Sequence, residues 1–317
     1  MNEEPKTPMP KPERPPVHVA VAQANKPSDY LVLLAGVAAS LGLIGLVFFT
    51  SIGAWLYGEE TLETYAEEPG DPVVEFIGTI IGYGIIIAIM LAVILTLVRM
   101  MRQQMLGNAL QVEYSDYAWL REWSNQVATD LEMPRVEIMV TQDPVINAYA
   151  FGFAKPYTIV LHSGAIRWLT REQLKAVVVH EMAHVKYRHT QIGTYLTILR
   201  AIPGIGVINT WLLDFWSRRA ELTADRLALC YLRDAEQVKT SLIGVHVGPD
   251  VAKSFNEVAR QWQVYMADNY FNRFTQTFSS HPFLVRRLQH LDRMNERFKP
   301  AWPPKIAKKQ PATKEAS

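Results

Sequence analysis

The chain has 317 residues, with 32 Lys and Arg against 31 Asp and Glu, a net charge of +1. That balance offers no basic excess for nucleic acid, and one cysteine, Cys230, excludes an internal disulfide and a cysteine-rich zinc site. The length allows one sizeable domain with accessory segments, and two long apolar blocks fall in the first third.

Residues 1–28 are rich in proline and charge and are read as a disordered N-terminal tail. Residues 30–57 contain no charged side chain, and residues 73–98 contain only Glu75. A helix needs roughly 20 apolar residues to cross the hydrocarbon core, so residues 29–99 are expected to form a two-span transmembrane anchor. Small residues recur in both blocks, Gly36, Gly42 and Gly45, then Gly78, Gly82 and Gly84. Such residues let helices approach closely in lipid, so the two spans are expected to pair as a hairpin.

Orientation follows from charge. Lys6, Lys11, Arg14 and Lys26 precede the first span and Arg99 and Arg102 follow the second, whereas the acidic connection 59–72 has no Lys or Arg. The positive-inside rule then puts both termini and residues 100–297 in the cytoplasm and the acidic loop outside. The chain is expected to be an integral membrane protein, of the inner or plasma membrane in a bacterium, with the lipid bilayer as a partner.

Residues 100–297 have the size of one domain. Apolar spacing predicts an amphipathic helix over 111–132, strands over 135–141 and 157–162, and a short strand over 147–152. Thr170 and Gln173 have capping-box spacing, so a helix is expected to start there. Further helices are expected over 217–232 and 251–271. Residues 298–317 are read as a disordered basic tail.

The capped helix carries His180-Glu181-Met182-Ala183-His184. Histidines four apart share a helical face and can hold one metal ion, with Glu181 turned to reach a water as general base. Leu174, Val177 and Val178 give this helix an apolar face that would fix it against a core. Arg171, Glu172, Lys175, Lys186 and Arg188 flank the motif, which places it in water or at its boundary rather than inside an apolar span. Glu221 and Asp225 are again four apart on the next predicted helix. A carboxylate from that helix supplies a third ligand and leaves the fourth position for water, and Asp225 is placed to accept a hydrogen bond from a ligand imidazole. Thr190 stands where a third histidine ligand would fall six residues after His184. His189, one residue off, is read as supporting the site or lying at the surface.

Three segments now resemble the M48 family of membrane zinc metallopeptidases, which includes HtpX-like quality-control proteases and CAAX prenyl proteases. They are HEMAH, RRAELTAD (218–225) and SSHPFLVRRL (279–288). The resemblance implies an α+β fold, a mainly helical zincin domain of the gluzincin type with a small β-sheet. It implies one Zn²⁺ per chain on His180, His184 and Glu221, Glu181 as base, and Asp225 steadying a ligand histidine. His281 would stabilise the oxyanion, Arg287 would organise the pocket, and Asn147, Ala148 and Tyr149 would present an edge strand to the substrate backbone. The expected activity is peptide-bond hydrolysis of polypeptide substrates, in quality control of membrane or misfolded proteins. The alternatives are a CAAX-type prenyl protease or a catalytically silent, zinc-stabilised membrane scaffold. The stretch 191–216, between the two metal motifs, is too short for two more spans. It is expected to form a helical hairpin, buried or dipping into the bilayer surface.

Overall fold

The computed structural model describes residues 24, 26–58, 72–152, 155–200 and 206–298. Most of the expected N-terminal tail, the acidic loop and the basic tail lie outside these residues. The chain opens with two long helices, α1 (Pro27–Gly58) and α2 (Pro72–Asn108). Stretches of 21 residues (Pro27–Val47) and 28 residues (Ile77–Gln104) within them are long and apolar enough to cross a membrane. Helix α2 runs nine residues past the expected end of the anchor at residue 99, and Arg102 near its end donates to Glu137 at 2.8 Å.

Strand β1 (Leu110–Gln111) and a single 3₁₀ turn (Val112–Tyr114) precede α3 (Ala118–Asp130). The helix expected from residue 111 is therefore delayed. Ser115 Oγ donates to the Val112 carbonyl at 2.9 Å and accepts from the Tyr117 N–H at 3.2 Å, turn chemistry that competes with the helix start. Strands β2 (Val136–Thr141), β3 (Ala148–Phe151) and β4 (Tyr157–His162) complete a sheet of order β1-β2-β4-β3. Strands β2 and β4 run parallel, from Val136↔Tyr157 to Thr141↔His162, and β3 lies antiparallel to β4 on the open edge.

A short helix α4 (Ser163–Trp168) leads to α5 (Arg171–Lys186). Thr170 caps α5 as its spacing predicts: its hydroxyl accepts from the Gln173 N–H, and the Gln173 side chain accepts from the Thr170 N–H. Next come α6 (His189–Arg200) and α7 (Gly206–Leu232), which starts well before the expected residue 217. Helices α6 and the first turns of α7 form the hairpin expected between the metal motifs, tied by Arg200 to Asp214 at 3.0 Å. Helix α8 (Ala235–Val247) is capped by Asp234. The long helix expected over 251–271 is instead three pieces, α9 (Pro249–Ala252), α10 (Glu257–Asp268) and α11 (Tyr270–Gln276). Asn256 and Asn269 cause the breaks, each accepting a backbone N–H at 3.0 Å as a fresh N-cap. Helix α12 (Leu284–Phe298) ends the described chain.

The architecture is thus mainly helical with one small mixed sheet. Leu120 and Val127 of α3, Ile138, Ile159 and Leu161 of the sheet, and Val178 and Met182 of α5 share one buried core with Leu227 of α7. At roughly 1.5–3 kcal/mol for each large apolar side chain buried, this core fixes α5 and α7 against each other. A second cluster joins Leu196, Leu213, Trp216 and Ala220 to Val32, Leu33 and Val37 of α1.

That cluster corrects the expected pairing of the spans. A Cβ added at Gly42, Gly45, Gly78, Gly82 or Gly84 would meet nothing within 4 Å, whereas one at Gly36 would touch Leu212 and Leu213 of α7 at 3.7 Å. The first span packs on α7 because its start is pinned there. Asp29, 7% exposed, accepts from Arg219 Nε at 2.8 Å and Thr223 Oγ1 at 2.6 Å, and pairs with the buried Arg226 at 3.3 Å. The tail expected to be disordered through residue 28 is accordingly ordered from Pro27, and the Ala24 carbonyl accepts from Arg226 at 2.9 Å.

Candidate metal centre

Helices α5 and α7 bring three candidate ligands to one point. His180 Nε2 lies 3.3 Å from His184 Nε2, and the two approach the Glu221 carboxylate at 3.4 and 3.5 Å. All three ligand atoms fall within 4.8 Å of one another. Two imidazole nitrogens and one carboxylate oxygen are a donor set for a divalent metal with a position left open. They fit the single ion the sequence predicts.

The surroundings fix these three side chains. His180 Nδ1 faces Asp225 Oδ1 at 3.0 Å, which orients Nε2 toward the other ligands. Arg287 holds Asp225 with two hydrogen bonds, at 2.8 and 2.7 Å, and lies 3.2 Å from Glu221. Burial opposes charge on both carboxylates, but Arg287 and the hydrogen bonds of His180 outweigh it and hold them well below the usual range. His281, on the segment before α12, places Nδ1 3.3 Å from Glu221 Oε1, and that contact raises its pKa.

Glu181 sits on the same turn as His180 but points to the sheet edge, where its Oε2 accepts from the Ala150 N–H at 2.8 Å. Burial pushes its pKa up to about 7, with Glu221 adding to the rise and His180 opposing it. The Asn147 side chain accepts from the Ala148 N–H at 2.9 Å, and the Tyr149 ring lies edge-on to His162. Strand β3 thus turns the N–H groups of Ala148 and Ala150 away from β4. A cavity of about 610 Å³ joins these parts, lined among others by Asn147, Tyr149, Glu181, Trp216, His281 and Arg287.

One contact is not read from the sequence, and the two readings left open for His189 are now distinguished. The Ala150 N–H has no side-chain signal. His189 turns inward because Arg188 adopts φ 59°, which reverses the chain after α5. Its Nδ1 comes 3.1 Å from His184 Nδ1, with the ring held edge-on against Trp216. The sequence left His189 either supporting the site or at the surface, because spacing across a helix end carries no face.

The family model described as Peptidase family M48 matches residues 115–210 and 196–295, together more than half of the chain. A plastoglobule-localized metallopeptidase 48 of Arabidopsis thaliana chloroplasts is 31% identical over 59% of this chain and 60% of its own length. A Protease HtpX homolog of Aquifex aeolicus is 30% identical over 34% of this chain and 36% of its own. The chain thus spans less than two thirds of the length of these relatives. The crystal structure of S. mikatae Ste24p is similar at a TM-score of 0.46 and 16% identity, over 79% of this chain and 66% of that one.

Proposed function

The chain belongs to peptidase family M48, and we propose on that premise that it is a membrane-anchored zinc endopeptidase whose active site faces the cytoplasm. The observation that carries the reading is the convergence of His180, His184 and Glu221 within 4.8 Å, with Glu181 beside them at the sheet edge.

One Zn²⁺ held by these three residues would polarise the scissile carbonyl and acidify a water molecule. The chain's own residues do the rest. Glu181, with a pKa near neutrality, takes the proton of the attacking water and hands it to the leaving amine. Strand β3 lies at the open edge of the sheet, so an extended substrate can add to it through the outward carbonyls of Ala148 and Ala150, whose N–H groups Asn147 and Glu181 hold. His281 sits at the rim of the cavity, where its imidazole donates to the oxygen that gains charge. Asp225 and Arg287 keep His180 and Glu221 in place.

Contacts at both ends of the anchor support the topology. Asp29 at the start of α1 bonds to α7, and Arg102 near the end of α2 bonds to β2. Both ends touch the peptidase domain, which supports a topology with the two ends on one side of the membrane. A cytoplasmic cleft beside two spans suits quality control of membrane or misfolded proteins, and two spans enclose no chamber for a prenylated tail.

The test is proteolysis by the detergent-purified full chain. Reduced casein and a misfolded membrane protein are expected to be cut at internal bonds, and a farnesylated CAAX peptide to remain intact. Cleavage of the farnesylated peptide alone would overturn the assignment.

A further inference from the structure

Helix α10 is amphipathic in the reverse sense for a surface helix. Val258, Trp262, Tyr265 and Met266 fall at i, i+4, i+7 and i+8, one helical face, and all four are exposed. The charges lie on the other side. Arg260 pairs with Asp292 and Asp268 with Arg286, both partners belonging to α12. The apolar face therefore points away from the domain while the ionic groups are satisfied against it. Helix α11 continues the pattern with Tyr270, 87% exposed, and Phe271 and Phe274, and Phe278 follows. A contiguous apolar surface of this kind marks an interaction site.

Helix α7 says what covers it. Trp211 donates to Thr277 Oγ1 at 3.1 Å, and its ring packs with those of Phe278 and Phe215. The next residues of α7, Leu212 and Leu213, are the ones that touch Gly36 of the first span. The same turn of α7 thus holds the aromatic segment on one side and the span on the other. Beyond that turn α1 exposes Leu41 and Leu46, and the start of α7 exposes Val207 and Ile208. The aromatic segment, the start of α7 and the first span therefore meet around one turn of α7, each with exposed apolar side chains. Trp and Tyr, with apolar rings and polar tips, are the residues that settle at the headgroup level.

We propose that the exposed aromatic face of α10 and α11 lies in the interfacial layer of the bilayer that α1 enters. It acts as a second, in-plane membrane contact that sets the height and tilt of the catalytic cleft above the lipid. Segment 277–281 leads directly from this face to His281, and Arg218 of α7 donates to the Thr277 and Ser279 carbonyls at 2.9 and 2.6 Å. Membrane contact and cleft are therefore mechanically joined.

The test uses the full chain reconstituted in phosphatidylcholine–phosphatidylglycerol vesicles. Cys230 is buried and its thiol pKa is raised by burial to about 12, so a nitroxide label attaches to an introduced cysteine. Collision with oxygen, which partitions into lipid, is compared with collision with a water-soluble nickel chelate. Tyr265→Cys and Tyr270→Cys are expected to give an oxygen-to-nickel ratio several-fold above that of Glu236→Cys, a side chain 77% exposed on α8. Equal ratios at the three sites would overturn the proposal while Leu46→Cys still reports lipid. Water exposure at Leu46→Cys as well would overturn the spanning reading with it. Protection that appears only on adding reduced casein, or dipolar broadening between labels of two copies, would assign the face to a polypeptide or to a second chain and would likewise overturn it.

Discussion

Each imidazole of the candidate metal centre is held from behind by a different partner, His180 by Asp225 and His184 by His189. For His184 to offer Nε2 to a metal, its Nδ1 must carry the proton, and His189 Nδ1 is the acceptor within reach. His189 is therefore a positioning residue. His189→Leu is expected to weaken zinc binding about 10–100-fold in chelator competition, and His189→Asn, which keeps an acceptor, to recover part of the loss. Unchanged affinity in the leucine variant would contradict this. A second histidine sets a pH response. His290 is buried, and burial, followed by Arg226 at 3.3 Å, pushes its pKa down to about 4. The unfolded chain binds a proton there below about pH 6.5 and the folded chain does not until about pH 4. The stability it contributes is full above pH 6.5 and declines as pH falls toward 4, by up to about 1.4 kcal/mol per unit. His290→Gln is expected to flatten the melting temperature of the solubilised protein across that window. A parallel decline in both proteins would count against it.

At the scale of the element, what was legible depended on whether the signal was local. The capped start of α5, strands β2 and β4 and the metal motif are written in adjacent residues, and the structure has them. The start of α7 and the breaks at Asn256 and Asn269 depend on what the chain packs against and on which polar side chain captures a backbone group. Spacing alone misread them. The tail ending at residue 28 was misread for the same reason, since the partners that order it, Arg219 and Arg226, lie nearly 200 residues away. Two substitutions test the local part. Thr170→Ala removes half of the capping box of α5 and is expected to cost about 1 kcal/mol in stability. Casein cleavage at 25 °C should stay within twofold, because the core holds the metal end of α5. Gly164→Ala is expected to be far worse. A Cβ there would collide with the Pro144 carbonyl, in the loop that leads into β3. Its melting temperature and its cleavage rate should fall together, and a variant as stable as wild type would show that the loop yields freely.

Across the whole molecule, the first apolar helix packs into the domain that follows it rather than standing apart from it. Asp29 is the joint, since it offsets the charge of Arg226, whose side chain is 2% exposed. Asp29→Ala leaves that guanidinium buried without its carboxylate, at a cost of about 3–5 kcal/mol. Faster proteolytic nicking between α1 and the domain is the expected readout, and wild-type resistance would refute the joint. Composition alone revealed the two long apolar helices. It did not reveal that the first packs on α7, because no local pattern encodes a contact between residues 29 and 226. The central claim remains the chemistry at His180, His184 and Glu221, and one measurement reaches it most directly. Zinc content and casein cleavage are determined together on the detergent-purified chain, wild type beside Glu181→Gln. One zinc per chain is expected in both proteins, with a loss of cleavage of at least about 100-fold in the variant. Wild-type protein free of zinc, or a Glu181→Gln variant that cleaves as fast as wild type, would contradict it.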